Sequence, residues 1–188
     1  LGSRGEWGYI RPVIDECILR KKKYGICVTN MAVISEYGEN GVSLAKKIIK
    51  EGYNVLENID MSLEGYTHFT MIKSLYLYGV NFTETLKRID PKFVIIAGDR
   101  GEQLISCVTS AFCYYPVAHI QAGEKSGNID GTTRHAIARF SHIHFASNKD
   151  AYDRLLKSGE EKFRVYNVGA PQLDEIKKHQ IITDQNLT

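Results

Sequence analysis

Short apolar runs alternate along this chain with longer stretches in which apolar residues recur at helical spacing. The short runs predict six strands, over residues 24–29, 53–56, 93–97, 117–121, 142–146 and 163–168. The longer stretches predict six helices, over residues 10–22, 42–51, 67–89, 102–112, 132–140 and 149–158. Pro12 lies near the start of the first predicted helix, where a proline is tolerated.

The apolar runs FVIIA and VAHI are almost continuous, which is typical of parallel strands covered on both faces. Together with the alternation of strands and helices, they predict an α/β fold built on a doubly wound, mainly parallel Rossmann-like sheet. We expect one such domain over residues 1–175, followed by a polar tail or linker over residues 176–188. A first strand should precede the glycine-rich turn at residues 2–5, so we expect that strand to be truncated, with Leu1 as its last residue.

Composition adds little to this pattern. The chain has 188 residues, 43% of them hydrophobic and 24% charged, with a net charge of +2. These values are ordinary for a globular protein, and we expect neither a nucleic-acid nor a membrane partner. No run approaches the roughly 18 apolar residues of a membrane span. The four cysteines lack CxxC spacing, so we interpret them as small core residues of a cytoplasmic protein.

Three acidic residues define the candidate site. Asp99 and Glu124 each follow small residues at the end of an apolar run, and Asp130 lies in a glycine-flanked loop. Such strand ends are where open α/β sheets bind ligands. Arg134 and His135 follow, in the first turn of the next predicted helix, where a cation opposes the helix dipole unless it faces an anion. The segment predicts acid–base chemistry on a polar substrate.

Structural roles stay open for some of these side chains. Asp99 is equally suited to cap the helix predicted from residue 102, and Asp130 to cap the following helix. Arg100 can hold Asp99 ionised or bind an anion. Glu124 is a poor capping residue, so a functional role is favoured there.

The opening Gly2-Ser3-Arg4-Gly5 offers a second anion site. Backbone N–H groups at a helix start suit a phosphate, and the Arg4 guanidinium adds two donors. A tight turn with a solvated arginine is the alternative.

Zinc binding is another hypothesis, because His142 and His144 are predicted to share one face of a strand near His135 and Glu124. No HExxH motif or cysteine cluster accompanies them, which favours hydrogen-bonded packing instead.

Four segments together resemble the hydrolysing UDP-N-acetylglucosamine 2-epimerases of sialic-acid biosynthesis, in their N-terminal domain. They are GSRGEWGYIRPVI, IIAGDRGEQL, HIQAGEKSGNIDGTTRHAIARFSHIHF and FRVYNVGAPQLD, and the resemblance runs from Leu1 to about Asp174. The chain departs from the family pattern at Ala122, Gly131 and Thr133.

The resemblance implies the N-terminal half of a GT-B arrangement, with a C-terminal UDP-binding domain that this chain lacks. It implies conversion of UDP-N-acetylglucosamine and water to N-acetylmannosamine and UDP, by elimination of UDP and hydration of a glycal. Asp99, Glu124 and Asp130 would share the acid–base work. The implied binding residues are Gly2, Arg4, Arg100, Arg134 and His135, and no metal or cofactor is implied.

Three alternatives stay open at this point. They are a non-hydrolysing epimerase, a hydrolysing epimerase for a bacillosamine-type nucleotide sugar, and a non-catalytic fragment that binds a nucleotide sugar. The resemblance also implies a homo-oligomer, a dimer or tetramer, when full length. The aromatic helix predicted over residues 67–89 is our candidate for its surface.

Overall fold

The computed structural model describes residues 1–63 and 67–174. Its strands are β1 (Ile26–Thr29), β2 (Val55–Ile59), β3 (Val94–Ala97), β4 (Val117–Ile120), β5 (Ile143–Ala146) and β6 (Val165–Asn167). Its α-helices are α1 (Arg4–Leu19), α2 (Leu44–Lys50), α3 (His68–Ile89), α4 (Gly101–Phe112), α5 (Ile129–Phe140) and α6 (Lys149–Lys157). Short 3-10 turns cover Asn30–Ala32, Ser35–Tyr37 and Lys162–Arg164. The predicted alternation of strands and helices is confirmed, whereas the tail over residues 176–188 lies outside the described residues.

All described strands pair in parallel, in a two-stranded sheet of β1 and β2 and a four-stranded sheet in the order β3-β4-β5-β6. Leu1 continues the parallel pattern on the free side of β1. The Thr29 N–H donates to the Leu1 carbonyl at 2.9 Å, and the Leu1 amino group donates to the Cys27 carbonyl at 3.0 Å.

Helices cover both faces of the strands, because successive side chains of a strand point to opposite sides. Ile26 and Val28 of β1 belong to the core cluster that contains residues of α1 and α2. Cys27, between them, packs against the cluster of Tyr78 and Phe82 on α3. The doubly wound α/β prediction is therefore confirmed.

The predicted start of the first helix is wrong. Residues 2–5 do not form a separate turn, because α1 begins at Arg4 with Ser3 as its N-cap. The Glu6 carboxylate reaches back to the Ser3 N–H at 3.3 Å, as in a capping box. Pro12 consequently lies inside α1, where its missing N–H removes one intrahelical hydrogen bond.

The capping roles considered for Asp99 and Asp130 are also wrong. Arg100 is the N-cap of α4, and Asn128 caps α5 by accepting from the Asp130 N–H at 3.1 Å. Because α5 starts three residues earlier than predicted, Arg134 falls in its second turn.

Surface exposure corrects one further prediction. Cys107 is buried, as expected of a core residue, but Cys113 is exposed. None of the helices in the two described ranges combines the length and apolar character that crossing a membrane requires.

Candidate functional site

Two carboxylates leave neighbouring strands at the same edge of the sheet. Asp99 follows β3 through Gly98, whose φ is +84°, and Glu124 follows β4 through Gly123, whose φ is +80°. Both conformations lie in the left-handed region, which glycine adopts without strain. These reversals turn the chain at the carboxyl edge, so Asp99 and Glu124 face a shared space instead of continuing their strands.

Arg134 of α5 joins the two carboxylates. Its Nη2 donates to Asp99 Oδ2, and its Nη1 donates to Glu124 Oε2 at 3.1 Å. Nη1 also lies 3.4 Å from the carbonyl oxygen of Gln121. Exposed side-chain fractions are 8% for Arg134, 16% for Asp99 and 30% for Glu124. A buried cation thus holds two carboxylates, and Glu124 is the more accessible of them.

Two serines complete this cluster. The Ser126 hydroxyl donates to Asp99 Oδ2 at 3.1 Å. The Ser147 hydroxyl, at the carboxyl end of β5, donates to Glu124 Oε1. Two carboxylates against one guanidinium leave a formal charge of −1, which suits proton transfer to or from a bound ligand.

A neutral histidine lies beneath the cluster. His119 of β4 is fully buried, and its Nε2 lies 2.8 Å from the carbonyl oxygen of Gly98, next to Asp99. Burial lowers the pKa of His119 to about 4, so the ring is uncharged near neutral pH and Nε2 donates to that carbonyl. His119 therefore ties β4 to the turn that carries Asp99 without adding charge.

A second group of polar side chains surrounds the start of α1. Arg100 Nε donates to Glu102 Oε1 at 2.9 Å, and Glu6 accepts from Gln103 Nε2 at 3.0 Å. The Gly2 N–H donates to the same Glu6 carboxylate. A side chain at Gly2 would meet Glu102 Oε1 at 2.2 Å. A side chain at Gly2 would therefore displace the Glu102 carboxylate, and the Gly2 N–H is already bonded within the protein.

Arg100 does not pair with Asp99 in the described structure, which was one of the two roles considered for it from the sequence. Its guanidinium is directed at Glu102 and lies 4.0 Å from Glu6 Oε1. Arg134 pairs with Asp99 instead, because α5 brings its guanidinium within hydrogen-bond reach of Asp99 and of the Gln121 carbonyl that follows β4.

The remaining predicted site residues are more exposed. Asp130 accepts from Asn128 Nδ2 at 3.1 Å, and His135 is exposed on α5. Arg4, with 59% of its side chain exposed, forms an ion pair with Glu39 at 3.2 Å. None of these three side chains has a hydrogen bond to Asp99 or Glu124 within the described ranges.

The histidines proposed as zinc ligands are separated. His142 is exposed and its Nδ1 accepts from the Val117 N–H, whereas His144 is buried 3.2 Å from Glu160. In residues 1–63 and 67–174, no group of three or more His, Cys, Asp or Glu side chains is arranged to hold a metal ion.

Sequence reasoning missed Ser147, Glu6 and His119. Ser147 follows the small residue that ends β5, so the strand-end rule applied to Asp99 and Glu124 would have found it. Glu6 stands three residues after Ser3, which is the spacing of a capping box. His119 carried no local signal, because its partner is a carbonyl group 21 residues away.

Comparison with known proteins identifies relatives of this arrangement. A family model described as UDP-N-acetylglucosamine 2-epimerase matches residues 19–188. A UDP-N,N'-diacetylbacillosamine 2-epimerase (hydrolyzing) of Legionella pneumophila is 32% identical over 97% of this chain and 48% of its own length. A UDP-N-acetylglucosamine 2-epimerase of Neisseria meningitidis is 28% identical over 92% of this chain and 44% of its own length. The chain thus spans about half the length of these relatives.

A solved structure has the same fold. The UDP-GlcNAc 2-epimerase of Methanocaldococcus jannaschii, in complex with UDP-GlcNAc and UDP, matches with a TM-score of 0.78. The match covers 94% of this chain and 48% of that one, at 22% identity. At this identity the likeness shows the fold alone, which is the Rossmann-like α/β half of a two-domain structure.

Gly123→Ala should destabilise the protein by at least about 2 kcal/mol, because the residue has a positive φ and its Cβ would lie 2.4 Å from the Ala151 carbonyl oxygen. Gly127→Ala, in the same loop, meets no heavy atom within 4 Å and should cost less than about 0.5 kcal/mol. Urea denaturation followed by circular dichroism measures both. Equal losses in the two variants would contradict the packing described for Gly123.

His119→Gln should change how stability depends on pH. The folded state depresses the pKa of His119 from 6.5 to about 4, so unfolded chains bind more protons in this interval. Stability contributed by the neutral ring is complete above pH 6.5 and is lost as the pH falls towards 4. The free energies of unfolding of wild type and variant should therefore diverge between pH 7 and pH 4, by up to about 3 kcal/mol. Parallel stability curves over this range would disprove the burial of a neutral imidazole.

Proposed function

This chain belongs to the UDP-N-acetylglucosamine 2-epimerase family, and from that premise we propose that it carries the acid–base groups of a hydrolysing nucleotide-sugar 2-epimerase. The observation that carries the proposal is the pair Asp99 and Glu124, held by Arg134 at the carboxyl edge of the sheet. Two carboxylates with 30% and 16% of their side chains exposed offer two proton-transfer groups to one ligand. We place this chemistry in the cytoplasm, because the four cysteines are free thiols, as in a reducing compartment.

The proposed reaction converts UDP-N-acetylglucosamine and water to N-acetylmannosamine and UDP. A base removes the proton from carbon 2 while the bond between carbon 1 and the UDP oxygen breaks, leaving an unsaturated glycal and UDP. Water then adds across the double bond, with hydroxyl on carbon 1 and a proton on carbon 2, from the face that gives the manno product. Asp99, Glu124 and Asp130 share these proton transfers.

Positive charge is needed where the diphosphate departs. We assign this role to Arg4 and Arg100, with His135 near the diphosphate or the sugar. The exposure of Arg4 and His135 supports the assignment, since both side chains are accessible to a ligand. Gly2 contributes by allowing α1 to approach Glu102 closely, rather than by a free N–H.

A bacillosamine-type nucleotide sugar is the second candidate substrate. The Legionella pneumophila relative, a UDP-N,N'-diacetylbacillosamine 2-epimerase (hydrolyzing), supports this candidate. Substrate specificity is decided by comparing UDP release from the two nucleotide sugars. A nucleotide sugar recovered intact after epimerisation would instead indicate the non-hydrolysing reaction.

We further propose that the active protein comprises this domain and a second, UDP-binding domain, because the chain spans about half of its relatives. Oligomer formation through α3 is supported by its exposed apolar side chains, which include Phe69, Met71, Tyr76 and Val80.

Glu124→Gln in a full-length protein should lower UDP release by about 10²–10⁴-fold, because the amide cannot exchange a proton with carbon 2. A coupled assay for free UDP, with deuterium uptake at carbon 2 followed by NMR, measures the loss. Glu84→Gln, an exposed site on α3, is the matched control and should keep wild-type turnover. Unchanged turnover in Glu124→Gln would eliminate Glu124 from the mechanism.

The Kd of UDP for this chain by itself should be above about 1 mM. The reason is that the second domain proposed above would supply most of the nucleotide contacts. Isothermal calorimetry on this chain and on a full-length protein provides the comparison. Tight UDP binding by the chain would favour the alternative of an independent nucleotide-sugar-binding domain.

A further inference from the structure

The donors of Arg134 are directed into the protein. Nη1 contacts Glu124 and the Gln121 carbonyl, and Nη2 contacts Asp99. Nε is buried and has no hydrogen-bond partner within the described ranges. With 8% of its side chain exposed, the guanidinium presents little surface to a ligand.

The two carboxylates differ in whether one of their oxygens stays without a hydrogen bond. Both contacts of Asp99, from Arg134 and from Ser126, are made to Oδ2, and no hydrogen bond to Oδ1 exists within the described ranges. Glu124 accepts a hydrogen bond from Arg134 at Oε2 and one from Ser147 at Oε1. Arg134 therefore sets the orientation of both groups and leaves Asp99 Oδ1 available.

Binding a diphosphate through Arg134 would require leaving one carboxylate without its cation. Separating one partner from a buried, hydrogen-bonded charge pair is strongly unfavourable, because the remaining charge stays desolvated. Arg4 does not face this cost to the same degree, because 59% of its side chain and 54% of that of its partner Glu39 are exposed.

We propose that Arg134 is a positioning residue that fixes Asp99 and Glu124 relative to each other, and that it is not a ligand of the diphosphate. This inference rests on the proposed epimerase function and revises the binding role that the family resemblance implies for Arg134. A guanidinium is suited to the task, since its rigid fork reaches two acceptors at once, whereas a lysine ammonium is a single point charge on a flexible stem.

Arg134→Met and Arg4→Met in a full-length protein separate the two roles. Arg134→Met should lower kcat by about 100-fold, because small misplacement of catalytic groups has an effect of this size. KM, and the Kd of UDP by calorimetry, should stay within about threefold of wild type. Arg4→Met should show the opposite pattern, a raised KM with a smaller change in kcat. The kcat of Arg134→Lys should lie between the values of wild type and Arg134→Met.

Chemical rescue measures whether an added cation restores turnover, which is not expected if Arg134 only stabilises the fold. Free guanidinium should restore turnover to Arg134→Ala, whereas the same concentration of sodium ion should not. A KM and UDP Kd raised by about tenfold or more in Arg134→Met, with kcat retained, would overturn the proposal. So would the absence of rescue in an Arg134→Ala protein whose near-UV circular dichroism matches wild type.

A measurement on the wild-type protein tests the proposal even if the variants fail to fold. Side-chain nitrogen NMR of arginine in the wild type should show the Arg134 signals unmoved when UDP is added, and the Arg4 signals shifted. Shifted Arg134 signals would overturn the positioning role. Failure of wild type to release UDP from either nucleotide sugar would contradict the proposed function instead, so the two failures are distinguishable.

Discussion

The buried charge of Arg134 is the constraint on which the candidate site depends. A guanidinium with so little exposure is stable only with anionic or carbonyl partners around it, because an unpaired charge in the interior costs several kcal/mol. Asp99 and Glu124 supply the charge and Gln121 supplies a carbonyl. One side chain thereby links helix α5 to the ends of strands β3 and β4.

The backbone around these strand ends is shaped to permit this contact. Gly98, Gln121 and Gly123 have positive φ angles, and Gly123 lies against α6 so closely that a methyl group would collide with the Ala151 carbonyl. Arg154 of α6 donates to the Gly123 carbonyl oxygen. The packing of α6 on the sheet therefore determines where Glu124 emerges, and core packing and site geometry are parts of one arrangement.

Each carboxylate at this end of the sheet accepts hydrogen bonds from protein donors. Asp99 and Glu124 both accept from Arg134, whereas Glu102 accepts from Arg100 at 2.9 Å and from Asn30 at 3.0 Å. Burial raises the pKa of Glu6, which is bonded to backbone N–H groups and to Gln103. His119 stays neutral between the strands. The cluster of Asp99, Glu124 and Arg134 thus has a small net negative charge.

Hydrophobic periodicity along the chain was sufficient to determine the alternation of strands and helices, and hence the parallel α/β class, because buried parallel strands require continuous apolar runs. The strand-end rule also located Asp99 and Glu124. Helix starts were determined less well: α1 and α5 begin at Ser3 and Asn128 caps, whose local hydrogen bonds outweighed the apolar pattern.

Only the tertiary structure decided that Arg134, and not the adjacent Arg100, pairs with Asp99. The physical reason is that sequence neighbours on a strand-to-helix turn diverge, whereas a helix 35 residues later crosses the sheet edge and brings its buried cation to both carboxylates.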